Sequence, residues 1–236
     1  MWLKNSTDKG KAVLGFAIIA ALPGILGLWF PLVYGFNDDT MLRSILSGSY
    51  TGTPDGHAVY MRYPLTGLLS LLYRISDRVP WLTLFFSGCM AICVYLIVRL
   101  TVQKIRSKGN RILCFILLSL VLALLLLRYY VLMHYTVVAA LLAGTALFVL
   151  LAGGKEGFQD RSRKIGSLLL LFLSYMIRSQ VFFLAMPFLF VGVLWVFLQD
   201  GGVDGRRKCL GSGGRYAAVL VAGILLFAGW NEIMYS

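Results

Sequence analysis

Hydrophobic residues in this chain come in long unbroken blocks, and polar residues are confined to the stretches between them. Blocks at 12–36, 80–102, 111–128, 135–152, 165–178, 180–198 and 216–233 each predict a helix. Several approach or exceed the roughly 18 apolar residues that cross a bilayer. The run from 166 to 198 carries one charge, Arg178. A single helix of that length would measure about 50 Å against a hydrocarbon core of about 30 Å. Two helices hairpinned at Ile177-Arg178-Ser179-Gln180 are therefore expected, with Arg178 near the headgroup level.

One polar stretch is long. Residues 37–79 separate the first block from the second and open on the acidic pair Asp38-Asp39. Within it, Leu42, Ile45 and Leu46 are spaced for a helix, with Asp39 or Thr40 as N-cap and Gly48 as stop. The segment "SGSYTGTPDG" is turn chemistry. Leu65, Leu68, Leu69, Leu72 and Ile75 then predict the stripe of a second short helix, with Pro64 in its first turn. Too short to span, it reads as an amphipathic helix lying in the interface. Trp81 begins the next block where an interfacial aromatic belongs.

Composition sharpens this picture. The chain has 236 residues, 59% hydrophobic and 14% charged, against about a quarter charged in soluble domains. That makes it all-α: a polytopic transmembrane helical bundle of about seven spans, a single membrane domain over 1–236 with interfacial helices in its first extracytoplasmic loop. The net charge of +12 does not indicate nucleic acid, because the basic residues sit in short clusters between apolar blocks. Sixteen of the 22 Lys and Arg residues fall in four clusters: Lys4 to Lys11, Arg99 to Arg111, Lys155 to Lys164, and Arg206 to Arg215. By the positive-inside rule those clusters face the cytoplasm, together with the N-terminus, and the 37–79 loop lies outside. The first block is too long for a signal-peptide core and no A-x-A-like site follows it, so it reads as an uncleaved anchor. Gly201-Gly202 and "GSGG" at 211–214 predict a flexible loop before the last block. Cys89 and Cys93 share a helix face but have no further thiolate or histidine nearby, so they read as small buried hydrophobes.

The segments "FNDDT", "LSGSYTGTPDGHAVYMRYPL", "LLYRISDRVPW" and "HYTVVAALLA" resemble the GT-C class of integral membrane glycosyltransferases, and bacterial polytopic proteins with this loop pattern in particular. The likeness covers about residues 12–190. It implies residence in a bacterial plasma membrane and transfer of a sugar from a polyprenyl-phosphate donor to a cell-envelope acceptor on the extracytoplasmic face. Class members generally have more helices, which implies that this chain is an N-terminal portion. Asp38 or Asp39 falls where the class keeps its essential acid. A carboxylate there would take the proton of the attacking hydroxyl, or would hold a divalent cation, Mg or Mn, against the leaving phosphate.

Outward-facing cations suited to a lipid phosphate are Arg178, Arg128 and Arg62, since a planar guanidinium matches phosphate oxygens. His57 and His134, the only histidines, are candidates for a second acid–base group or a metal ligand. Tyr60, Tyr63, Tyr129 and Tyr130 are candidates for stacking on a sugar, although anchoring in the membrane belt explains them better. The expected partners are the lipid-linked sugar donor, membrane lipids and a further membrane protein. Two other classes remain open: a transporter or flippase for a lipid-linked intermediate, and a non-catalytic assembly subunit. The nearly charge-free span interiors and the absence of an internal repeat weigh against transport.

Overall fold

The computed structural model describes residues 33–34, 37–103, 105, 108–152, 154, 160–198 and 203–235. The predicted helix at 12–36 and the basic cluster before it therefore lie outside the described residues, apart from Val33 and Tyr34. Those two form a short strand, β1, pairing in parallel with β2, Leu132–Met133, in the register Val33 to Leu132 and Tyr34 to Met133.

Eight helices occupy the described residues: α1 Asn37–Ser47, α2 Tyr63–Ile75, α3 Trp81–Val102, α4 Lys108–Val131, α5 Tyr135–Leu151, α6 Arg161–Ile177, α7 Ser179–Leu198 and α8 Val203–Tyr235. Three segments are long and apolar enough to cross a bilayer: Trp81–Val102, Ser179–Val196 and Gly213–Tyr235. Ile112–Leu122 and Tyr135–Leu151 are shorter apolar helices.

The centre of the bundle is α5, apolar on every side, with Val138, Leu142, Ala146 and Leu150 among its buried residues. Helices of that character are enclosed by others. Its main neighbour is α6, joined by two serine hydroxyls that donate to backbone carbonyls: Ser167 to Ala146 O and Ser174 to Ala139 O, both at 2.8 Å. The paired positions step seven residues along each helix in opposite directions, so the helices are antiparallel in one register. Alanines and serines at these crossings let the backbones approach closely.

At Arg178 the backbone is extended, φ −154° and ψ 102°, and α7 begins at the next residue. Gly192 of α7 packs against Leu151 at the far end of α5, where a Leu151 methyl occupies the space a Cβ on Gly192 would need. Because α7 starts beside Tyr135 and passes Leu151, it runs parallel to α5, and α6 and α7 form a hairpin. Helix α8 runs alongside α6: Tyr216 hydroxyl to Ser167 hydroxyl at 2.9 Å, then Phe227 against Phe172. Outward residues of α7 and α8, such as Leu184, Phe190, Leu226 and Ile233, are largely exposed. An apolar surface of this extent suits a lipid environment.

Three sequence expectations need correction. The glycines at 211–214 do not end in a loop; α8 is helical from Val203. No proline interrupts that stretch, and extending a nucleated helix is far easier than starting one. In α1 the acids are not N-caps. Asp38 and Asp39 both lie in the first turn, where the helix dipole favours them. In α2 the buried face is Leu65, Thr66, Leu69, Ser70 and Tyr73, whereas Leu68, Leu71 and Ile75 are exposed. The hydroxyls explain the rotation. Thr66 donates to Gly56 O and Ser70 to Gly67 O at 2.9 Å, so the small polar side chains can face inward.

Candidate functional site

The α5–α6 register builds the site. Four residues beyond the Ala139–Ser174 crossing it reaches Tyr135 on one helix and Arg178 at the end of the other. There the Arg178 guanidinium donates to the Tyr135 hydroxyl and lies 4.9 Å from its ring centroid. Tyr60 stacks on Tyr135, with centroids 5.9 Å apart and planes 15° from parallel, and Arg178 sits 5.6 Å from the Tyr60 ring. Tyr60 reaches this position with φ at +73°, a left-handed conformation that a bulky residue adopts only under constraint. A second contact, Arg178 to Gln180 Oε1 at 3.1 Å, completes the arginine's fixation.

Arg62 approaches from the other side. Its backbone N–H donates to Met176 O at 2.8 Å, pinning the start of α2 to the end of α6. Its guanidinium donates to Ser179 Oγ at 3.3 Å and lies 5.4 Å from the Tyr175 ring centroid.

Between these groups is an open cavity of about 420 Å³, walled by residues 57–62, by Arg178, Ser179 and Gln180, and by Asn231 and Tyr235 of α8. Among the described residues, two guanidiniums and one imidazole line it, and no carboxylate does. It also meets the first turn of α7, where backbone N–H groups have no intrahelical acceptor and the helix dipole is positive. Such a wall is chemically suited to an anion with several acceptor oxygens.

His57 is oriented from both sides. Its Nδ1 lies 2.7 Å from Asp55 Oδ1 and its Nε2 2.9 Å from Met234 O of α8. Asp55 also accepts the His57 backbone N–H at 3.0 Å. Hydrogen bonding to Asp55 raises the His57 pKa above its ordinary 6.5, and the Met234 carbonyl adds to this. Asp55 is lowered from 3.8, first by the His57 backbone N–H.

The acidic pair separates. Asp39 is fully buried and its Oδ1 accepts the backbone N–H of Tyr135 at 3.0 Å, while its Oδ2 lies 3.5 Å from His134 Nδ1. It thus sits on the N-terminal turn of α5, where His134 is the N-cap and accepts from Thr136 N–H at 3.3 Å. Asp38, one residue earlier and about 100° around the helix, is exposed. Neither acid lines the cavity. Tyr135 stands between Asp39 and Arg178, its backbone N–H donating to the first and its hydroxyl receiving the second.

Of the remaining sequence candidates, Arg62, Arg178 and His57 come together on the cavity wall. Tyr63 stands just behind it, its N–H donating to Asn231 Oδ1 at 3.0 Å and its ring 4.9 Å from that of His57. Arg128, in the last turn of α4, is exposed and not among the lining residues. No group of three or more His, Cys, Asp or Glu residues gathers as a metal site among the described residues. Sequence reasoning missed Tyr135, Gln180 and Asn231. None of the three had a signal in the sequence, because the register that brings Tyr135 to Arg178 exists only between packed helices. No protein-family model, curated protein or solved structure matches this chain.

Proposed function

We propose that this chain is a GT-C-like integral membrane protein whose arginine-lined cavity receives the phosphate of a polyprenyl-phosphate sugar donor. The observation that carries this reading is the convergence of Arg62, Arg178 and the first turn of α7 on one cavity. A lipid phosphate needs such a cluster of donors close to the headgroup level.

The placement of that cavity supports an extracytoplasmic site. It lies at the end of the bundle that carries residues 37–80, opposite the helix ends bearing the basic clusters, and the positive-inside rule assigns those clusters to the cytoplasm. The exposed Leu68, Leu71 and Ile75 of α2 support an interfacial helix beside the cavity. In a bilayer, α3 to α8 together with the 12–36 segment would make the seven spans.

For transfer chemistry, Asp38 is the acid able to meet an acceptor hydroxyl, since Asp39 is enclosed and bound to α5. A second reading, handling of the lipid-linked donor without transfer, as by a flippase or assembly subunit, is favoured by the placement of Asp38 and Asp39 away from the described lining of this cavity. One experiment separates them. The purified protein in nanodiscs is given a polyprenyl-phosphate sugar and an envelope glycan acceptor, and both donor binding and product are measured. Transfer lost in Asp38→Asn with donor binding retained supports the enzyme. Donor binding lost in Arg178→Ala, with no product from any form, supports handling alone. Donor binding unaffected by Arg62→Ala and Arg178→Ala sinks both.

A further inference from the structure

The end of α8 forms one wall of the cavity, and its described contacts include three with the 57–63 segment. Tyr235 hydroxyl donates to Ala58 O at 2.9 Å, Asn231 Oδ1 accepts from Tyr63 N–H, and Met234 O meets His57 Nε2. Among the described residues of α8, Tyr216 and Leu220 are the buried ones. The Met234 carbonyl belongs to the last turn, where carbonyls lack an intrahelical donor and need one from outside.

The protonation of His57 follows from its partners. A carboxylate at Nδ1 and a carbonyl at Nε2 are both acceptors, so both ring nitrogens carry protons when both bonds are made. Asp55 fixes the ring through Nδ1 whether or not α8 is in place. A donor aimed at the edge of an anion-suited cavity is thus occupied by a neutral carbonyl, a weaker acceptor than a phosphate oxygen.

We propose that the Nε2 proton of His57 is a binding group of this cavity, exchanged between the Met234 carbonyl of α8 and an oxygen of a bound phosphate. This rests on the reading of the cavity as a phosphate site. Phosphate binding and docking of the α8 end then compete for one proton, and the ligand releases that end as it binds. The other ionisable groups around the ring are Asp55 on its own segment, Tyr63 of α2 and Tyr235 of α8. Arg62 and Arg178 share the cavity wall, and Glu232 near the end of α8 is exposed. Among these, His57 has an ordinary pKa nearest neutrality, so it alone should make binding weaken as pH rises above 6.5. The second ionisation of a phosphate monoester, near a pKa of about 6, acts in the opposite direction.

The test uses the full chain in phosphatidylcholine nanodiscs and two probes, inorganic phosphate in solution and a polyprenyl phosphate in the bilayer. Affinities are measured between about pH 6 and about pH 8.5, spanning the histidine range. Relative to His57→Gln, the wild type should lose up to about tenfold in affinity per pH unit above the folded-state pKa of His57. Asp55→Asn should move that loss to lower pH, which a merely structural histidine would not do. Saturating probe should also speed hydrogen exchange at the Tyr63 amide as Asn231 withdraws. Binding of polyprenyl phosphate alone identifies a lipid headgroup, and equal binding of inorganic phosphate identifies the free anion; either supports the proposal when accompanied by the His57-dependent pH profile. Matching pH profiles for wild type and His57→Gln, or an unchanged Tyr63 amide, overturn it while leaving an Arg178-dependent phosphate site standing. Failure of the wild type to bind either probe removes that site and this proposal together.

Discussion

Arg178 reaches Tyr135 because the two residues occupy the next rung of the register that pairs Ser174 with Ala139 and Ser167 with Ala146. Tyr135 then acts in two directions, its hydroxyl receiving Arg178 and its backbone N–H donating to Asp39. The geometry of the cavity is consequently a property of helix packing.

Removing that hydroxyl should loosen the arginine without emptying the cavity. Tyr135→Phe keeps the ring under Arg178 but deletes the acceptor, so polyprenyl-phosphate affinity should fall several-fold. Arg178→Lys should weaken it further, since an ammonium lacks the planar fork that stacks and bridges. Titrations in nanodiscs measure both.

The two aspartates should differ sharply in stability. Asp39→Ala leaves the buried Tyr135 N–H without its acceptor, a loss of about 1 to 3 kcal/mol. Asp39→Asn should lose less, because its side-chain carbonyl can still accept. Asp38→Asn, on an exposed position, should stay within about 0.5 kcal/mol of wild type. Unfolding in detergent separates the three, and equal effects for Asp38 and Asp39 would contradict the burial described above.

Packing between α5 and α6 sets a third expectation. Ser174→Ala removes one interhelical hydrogen bond and should cost about 0.6 kcal/mol. Ala139→Leu overfills the crossing, at about 1 to 3 kcal/mol. Because it also displaces Arg178 from Tyr135, phosphate binding should fall with it, which Ser174→Ala should not cause.

Glycines in the 48–56 turn supply an internal control. Gly48 and Gly52 both have positive φ, +78° and +82°. A Cβ on Gly48 would fall 2.6 Å from Pro54 N, whereas at Gly52 nothing lies within 4 Å. Gly52→Ala therefore bears conformational strain alone, about 1 kcal/mol, and Gly48→Ala should exceed it clearly because backbone blocks the added methyl.

Protonation of His57 should also tighten the α8 end. The folded-state pKa is raised above 6.5, so this tie is fully present below pH 6.5 and is lost as pH rises through the folded value. Exchange at the Tyr63 amide should quicken over that interval in wild type and show no step in His57→Gln.

Much of the helical layout was readable because apolar blocks report helices directly. The break at Arg178 followed from length alone, since no single helix of that extent fits a bilayer. Asp39 shows what periodicity does not yield: Asp38 stands four, seven and eight residues before Leu42, Ile45 and Leu46, on the stripe that faces inward, yet it is Asp39 that is buried, held by the backbone N–H of Tyr135. The same reasoning misjudged α2, where Thr66 and Ser70 turn inward to meet backbone carbonyls while leucines turn out. Hydrophobicity predicts burial in water, but its sign is no guide where apolar faces have lipid to meet.

By itself, then, the amino-acid sequence determined an all-helical chain with helices long and apolar enough for a membrane, and the asymmetry of its basic residues. Only the tertiary structure decided that Arg62, Arg178 and His57 share a wall, that the acids do not, and that Tyr135 stands between them. Blocks of hydrophobic residues encode helices locally, through composition and period. Which side chains meet depends on interhelical register, and that is fixed by small residues and single hydroxyls scattered across segments far apart in the chain.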